Sequence, residues 1–343
     1  MKLGIVGLPG SGKATIFEAL THNISDAGHK GGTRIGTIRV PDNRVDVLSE
    51  MYKPQKTIYA QVAYYLPGRS EKKEKKEDQN LMTLVRDTDA LIHVIRNFSA
   101  YGLRAPMPSE DFLILDQELI LADLVVAEKR LERLEMDQNR GKKINPEERS
   151  LLTACRNNLE NETPLRKCPN LAAAELLKGY AFLSAKPKLV LFNNEDEDDN
   201  IPAAEGLVNT EMCAAIRGKL EQELTQMAAD EAKEFLKEFN ITASAMDRII
   251  KQSYALLGLI SFFTVGDDEV RAWTIKKETC AADAAGVIHS DFKKGFIRAE
   301  VISYTDLMAA GSYPEARKKG TVRLEGKTYN VRDGDIINFR FNV

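Results

Sequence analysis

The sequence predicts a mixed α/β protein, and three observations carry the prediction. The chain opens as an apolar run, a glycine-rich turn and a helical stretch: Lys2-Leu3-Gly4-Ile5-Val6, then Gly7-Leu8-Pro9-Gly10-Ser11-Gly12-Lys13, then Ala14-Thr15-Ile16-Phe17-Glu18-Ala19-Leu20. Apolar runs recur at Ala90-Leu91-Ile92-His93-Val94-Ile95 and Pro187-Lys188-Leu189-Val190-Leu191-Phe192. Strands buried on both faces of a parallel sheet read that way. From residue 259 the texture changes to short alternating strands around one short helix over 281–288. That is a small α+β domain with a twisted mixed sheet.

Strand, glycine loop, lysine and helix, in that order, form a phosphate-binding loop (P-loop). Glycines let the backbone curl so that successive N–H groups converge on one anion. The helix N-terminus adds partial positive charge, and Lys13 adds a full one. Gly7, Gly10, Ser11, Gly12, Lys13, Ala14 and Thr15 are therefore the candidate contacts, and a nucleoside triphosphate is the natural occupant. The pattern departs from the full motif at one place. A hydroxyl directly after the lysine normally holds Mg²⁺, and here that position is Ala14. Thr15 is rotated by about 100° around the helix and does not take its place.

A chain of 343 residues allows two or three domains and a sizeable core. A formal net charge of −3 argues against a wholly basic nucleic-acid binder, and no DNA partner is expected. Charged residues make up 29%, which suits long exposed helices. Cys155, Cys168, Cys213 and Cys280 stand far apart. Their spacing fits neither a zinc site nor a disulfide framework, and reduced thiols in a cytoplasmic protein are expected. No secretory leader is expected, because the sequence runs straight into its first strand. No apolar run approaches the roughly 20 residues that span a membrane.

Residues 23–37 read as a glycine-rich mobile loop, with Thr33 and Thr37 as the hydroxyls on offer to Mg²⁺. Pro41-Asp42-Asn43-Arg44 starts a short helix through Met51. One strand is expected over 57–66. A nucleotide switch carries Asp-x-x-Gly at that strand's end, but this chain reads Tyr65-Leu66-Pro67-Gly68. Residues 71–78 form a charge run expected to be solvated. Residues 80–86 look helical, and His93 reads as a packed strand histidine rather than a base.

A helix over 116–139 places Leu124, Ala127, Leu131 and Leu134 at heptad a and d spacing. Arg140-Gly141-Lys142-Lys143 breaks it, and Asn145-Pro146-Glu147-Glu148 caps a second helix running to about Asn161. Leu152, Cys155 and Leu159 share one face of that helix, so the pair reads as an antiparallel hairpin projecting from the body. After the strand at 187–192, Asn193-Asn194-Glu195-Asp196 has the form of a base-recognition motif. A carboxylate at Asp196 can accept both N1–H and the exocyclic amine of guanine, whereas adenine N1 is an acceptor. A strand is expected at 206–210, and Cys213 and Ala214 follow as candidate backbone donors to the base. Helices are expected over 216–239 and 243–257. Beyond them come strands at 261–265, 269–275, 296–302, 327–330 and 336–341, with a turn at Asp333-Gly334-Asp335.

Over essentially its whole length the chain resembles the YchF / Obg-like ATPase family. Arg271-Ala272-Trp273-Thr274-Ile275-Lys276-Lys277, Ala285-Gly286-Val287-Ile288-His289 with Asp291-Phe292, and Gly295-Phe296-Ile297-Arg298-Ala299-Glu300-Val301-Ile302 look like its TGS domain, a ubiquitin-like β-grasp. Glu128-Lys129-Arg130-Leu131-Glu132-Arg133-Leu134 looks like its coiled-coil arm. The resemblance implies a discontinuous P-loop G domain over 1–115 and 170–258, a coiled-coil hairpin over 116–169 and a TGS domain over 259–343. It also implies ATP hydrolysis and association with ribosomes.

The departures from the family cluster in the catalytic parts. Gly10, Ser11 and Ala14 replace Asn, Val and Ser in the loop. The switch threonine falls at Lys30, and a redox-linked cysteine falls near His29. The carboxylate of Asp-x-x-Gly becomes Tyr65, and Asn-x-x-Glu becomes Asn193 to Asp196. Three Mg²⁺-linked positions altered together argue against efficient hydrolysis, while the backbone and Lys13 can still hold phosphates. The expectation is a cytoplasmic translation or stress factor that binds ATP or GTP and associates with the ribosome, through its large subunit or RNA. No catalytic residue is assigned. The alternatives are a nucleotide-independent adaptor that uses the arm and TGS domain, and an RNA-binding β-grasp carried on an inert scaffold.

Overall fold

The computed structural model describes residues 1–22, 32–68, 82–204, 206–238 and 244–342, with the side chains of 229, 233 and 238 left aside. Lys30, His29, the first part of the expected mobile loop and the charge run at 71–78 lie outside those residues. The chain divides into two compact units, Met1–Thr37 with Ala63–Ile249, and Ile38–Val62 with Ile250–Val343.

In the first unit the strands are β1 (Lys2–Val6), β2 (Arg34–Arg39), β4 (Gln61–Leu66), β5 (Ala90–Asn97), β6 (Lys188–Asn194) and β7 (Met212–Ile216), while β3 (Lys56–Ile58) belongs to a second sheet. The first sheet has the order β2-β4-β1-β5-β6-β7. β1 runs parallel to β4 and β5, and β5, β6 and β7 continue in parallel. β5 and β6 are buried almost throughout, as their apolar runs require. The main helices of this unit are α1 (Lys13–Thr21), α3 (Pro108–Asn139), α4 (Pro146–Glu160), α5 (Gly218–Leu224) and α6 (Ala229–Glu238). α1 buries Ile16, Phe17, Ala19 and Leu20.

α3 and α4 form the expected hairpin. Ala127, Leu134, Leu152, Cys155 and Leu159 are buried between them, with Leu124 and Leu131 partly buried at the seam. The Asn145 side chain accepts from the N–H groups of Glu147 and Glu148, and Pro146 takes the first helical position. Arg130 and Glu148 pair across the hairpin at 2.9 Å. Leu165, Leu177 and Phe182 join the same apolar cluster, so the root of the hairpin is anchored on the chain that follows it. The turn at residues 140–143 is exposed.

Several expectations of secondary structure are corrected, among them the loop expected over 23–37, whose residues 34–37 belong to β2. Residues 206–210 form turns, not a strand. Gly206 is left-handed at φ 81°, and the Thr210 hydroxyl donates to the Gly206 carbonyl at 2.7 Å. The helix expected over 216–239 is two, α5 and α6, because β7 runs on to Ile216 and the chain turns between Thr225 and Ala228. The strand expected over 57–66 is also two, β3 and β4, which lie in different sheets.

The second unit holds α2 (Asn43–Tyr52), β3, β8 (Leu259–Val265), β9 (Glu269–Lys276), α8 (Ala281–Ile288), β10 (Phe296–Ser303), β11 (Arg323–Glu325) and β12 (Asp335–Phe341); α7 (Met246–Leu256) leads into it. Its sheet has the order β11-β10-β12-β8-β9-β3. The β8–β9 hairpin is antiparallel, β8 meets β12 in parallel, and β12 pairs antiparallel with β10. α8 presses Ala281, Ala284 and Ala285 onto Phe262, Ile275, Val301 and Phe339. Two outer strand pairs that grip one helix make a β-grasp. The final short strand is at 323–325, and residues 327–330 form a turn that closes with a bridge between Cys280 and Asn330.

β3 adds to the edge of this sheet in parallel with β9. Arg44, in α2, fixes the inserted segment. Its guanidinium donates twice to Asp42, at 2.9 and 2.8 Å, and to Asp333 at 2.7 Å, and it lies 5.0 Å above the Phe263 ring. Asp333 also accepts from the Ser261 N–H at 2.9 Å.

Candidate functional site

β1 lies between β4 and β5, so the loop leaving its carboxyl end opens where the strand connections diverge. Parallel α/β sheets bind ligands in that crevice. Gly7 must lack a side chain, because a Cβ there would sit 2.3 Å from the Val94 carbonyl oxygen. Gly10 and Gly12 are left-handed, at φ 81° and 86°. Gly12 is the N-cap of α1; it supplies no side-chain hydrogen bond, and the first turn carries no acid. The amides at that end thus have no side-chain cap and are suited to an anion. Lys13 folds back along the loop, and its Nζ donates to the Gly7 and Leu8 carbonyls at 2.6 and 2.8 Å. Ala14 is exposed, Thr15 is half-buried and Ser11 is buried.

Asn193 ends up in a role that the sequence does not display. Its Nδ2 donates to the Ser11 carbonyl at 3.1 Å, and its Oδ1 accepts from the Gly218 N–H at 3.0 Å. One buried amide thereby ties the glycine loop to the start of α5. A Cβ at Gly218 would meet Ile16 Cδ1 at 2.6 Å and Asn193 Oδ1 at 2.5 Å, so a side chain there would displace the Asn193 amide or the end of Ile16. Next to it, Asn194 accepts from Asn97 Nδ2 at 2.9 Å, and the Glu195 carboxylate accepts from the Ser99 N–H at 2.8 Å. Asp196 is exposed in the turn beyond β6, on the same sheet edge as the glycine loop. Cys213 and Ala214 lie within β7, opposite Val190 and Leu191. Cys213 packs on the cluster of Ile95, Val190 and Phe192, and burial pushes its thiol up to about 11. Gly218 was not among the sequence candidates. The only hint of it in the chain is a glycine set between an apolar strand and an amphipathic stretch.

His93 is a packed histidine. It is 1% exposed, stacks on Phe112 with centroids 5.4 Å apart, and finds no hydrogen-bond partner for either ring nitrogen among the described residues. Burial, and then the positive charge of Lys188, hold it well below its ordinary value of 6.5. Beside it lies a buried ion cluster. Arg166 makes a two-pronged contact to Asp116 at 2.9 and 2.8 Å and a further one to Glu211 at 2.7 Å, and Lys188 also bonds Asp116.

The residues present do not fit a Mg²⁺ ion at the mouth of the loop. Ala14 offers a methyl group where a hydroxyl ligand belongs, and Tyr65, at the end of β4, offers a phenol in place of a carboxylate. Glu18 is committed to Arg34 at 2.9 Å and to Gln222. Among the described residues no three carboxylates, thiols or imidazoles gather into a metal site.

A parallel sheet that opens on a glycine-lined, lysine-bearing loop, joined in one chain to a β-grasp sheet, defines the class: a P-loop G-domain protein with a C-terminal β-grasp domain. The comparisons narrow the class. The family model YchF-GTPase_C, described as a protein of unknown function (DUF933), matches residues 259–342. The chain is similar to the ribosome-binding ATPase YchF of Bacillus subtilis (strain 168), 37% identical over 99% of both chains. It is also similar to the protein of the same name from Escherichia coli O157:H7, 36% identical over 100% of this chain and 99% of that one. Among solved structures it resembles the Schizosaccharomyces pombe YchF GTPase, with a TM-score of 0.84 and 30% identity, covering 99% of this chain and 97% of that one. The chain belongs to the YchF family.

Proposed function

We propose that this protein is a nucleotide-binding, ribosome-associated factor of the cytoplasm, in which the glycine loop holds the phosphates of ATP or GTP and hydrolysis is weak or absent. The observation that carries the reading is the loop itself. Gly7, Gly10 and Gly12 hold conformations or close approaches that exclude a side chain, and α1 presents an uncapped N-terminus beside Lys13. Ser11, Ala14 and Thr15 complete the phosphate contacts. Asp196 reads the base, with Asn193 bracing the loop beneath it and Cys213 and Ala214 offering backbone N–H groups to the base from β7. The relatives' names supply the ribosome as partner, and the large subunit, through its RNA, is the surface taken here. Residues 1–115 with 170–258 form the nucleotide domain, 116–169 the arm and 259–343 the TGS domain. The inserted segment 38–62 lends its edge strand to the last of these.

Titration calorimetry with ATP and GTP tests the reading. Lys13→Ala removes the only full charge of the loop, and the expected loss of affinity is about tenfold or more. Nucleotide binding that survives this change at full strength overturns the assignment of the loop.

A further inference from the structure

We infer that this cradle takes nucleoside phosphates without a divalent cation, so that its affinity is independent of Mg²⁺ and the diphosphate binds at least as tightly as the triphosphate. The inference rests on the reading of the loop as a nucleotide site and specifies what that site lacks. Mg²⁺ in a P-loop bridges the β- and γ-phosphates and is itself held by a hydroxyl at the helix start and, through water, by a carboxylate at a neighbouring strand end. Two of the three altered positions are in the described structure, and neither can serve, since Ala14 and Tyr65 occupy them. Two other oxygens of α1 are engaged elsewhere. Glu18 is paired with Arg34, the Thr21 hydroxyl donates to the Phe17 carbonyl at 2.7 Å, and Thr33 and Thr37 are exposed before and within β2.

The anion-binding parts, by contrast, are complete: three glycines, an uncapped helix end and Lys13. Those parts grip phosphate oxygens directly. Without a bridging metal, a third phosphate brings further negative charge with only Lys13 to offset it. The ligand class is therefore a nucleoside diphosphate, or a triphosphate held no better.

The test is calorimetry on the full chain with ADP, ATP, GDP and GTP, each in excess Mg²⁺ and in excess EDTA. The expected result is binding that weakens by less than roughly threefold when the metal is chelated, or tightens, with each diphosphate matching or exceeding its triphosphate. Weakening beyond that, or a clear preference for triphosphate, overturns the inference while leaving the nucleotide site in place. An absence of binding in both buffers overturns the site itself. A double variant, Ala14→Ser with Tyr65→Asp, restores two of the three altered donors. It is expected to acquire a Mg²⁺-dependent gain of about tenfold in triphosphate affinity. If it remains indifferent to the metal, the missing donors are not the cause and the inference fails.

Discussion

Asn193 shows how much of a site a single side chain can organise. Its amide spends both ends on backbone groups, the Ser11 carbonyl and the Gly218 N–H, which come from opposite ends of the first unit's sequence. Asn193→Ala leaves a buried acceptor and a buried donor unmatched, and the expected cost is about 1–3 kcal/mol of stability. Denaturant melts measure that cost, and nucleotide affinity should fall with it because the loop loses its brace. A variant as stable as the parent refutes the bracing role. The glycines of the loop were legible in the chain because only a strand–glycine–lysine–helix order makes sense of them. The second task of Asn193 was not, since a hydrogen bond spanning 182 residues leaves no local trace. Gly218 was missed for the same reason: the crowding at its Cα comes from Ile16, a residue of another helix.

At the scale of elements, periodicity told which face of a segment is buried and left open what the segment pairs with. The apolar alternation through residues 57–66 continues unbroken, yet the chain changes sheets between Ile58 and Gln61. Leu207 and Val208 looked like strand residues, but local turn hydrogen bonds around Gly206 claim that backbone instead. The hairpin of α3 and α4 was readable because heptad spacing, a breaking loop and an Asn-Pro cap all agreed.

Behind α3, His93 carries a pH dependence. The folded chain holds it well below 6.5, whereas the unfolded chain binds a proton as the pH falls through that value. The unfolded state therefore takes up more protons, and the stability that His93 contributes is complete above 6.5 and lost on acidification. The slope is at most about 1.4 kcal/mol per pH unit. Melts of the parent and of His93→Leu between about pH 6.5 and 5 should show the slope flattened in the variant. Equal slopes count against a neutral, buried His93.

For the molecule as a whole, the arm and the β-grasp domain are the proposed contacts with a large partner. The tip of the arm exposes Arg140, Lys142 and Lys143, and Lys142 is held at 2.7 Å by Asp137. If the tip meets ribosomal RNA, reversing Arg140 and Lys143 to glutamate should weaken co-sedimentation with ribosomes several-fold at physiological salt, and less at high salt. Nucleotide affinity should stay as it is. Unchanged co-sedimentation would place the contact elsewhere. The two-part organisation was visible as a change of texture near residue 259. The place of residues 38–62 was not, because a helix and a short strand look alike whichever sheet receives them.

That placement has a practical corollary. The β-grasp sheet ends in a strand donated from far upstream, and α2 is pinned by Arg44 to the turn at Asp333. A fragment beginning at residue 250 carries neither piece. It would display the bare backbone rim of β9, a ready template for another copy, and so should cluster on expression. The carboxyl-terminal module is therefore not a portable cassette: grafted onto another carrier, it would need its distant companion segment supplied alongside.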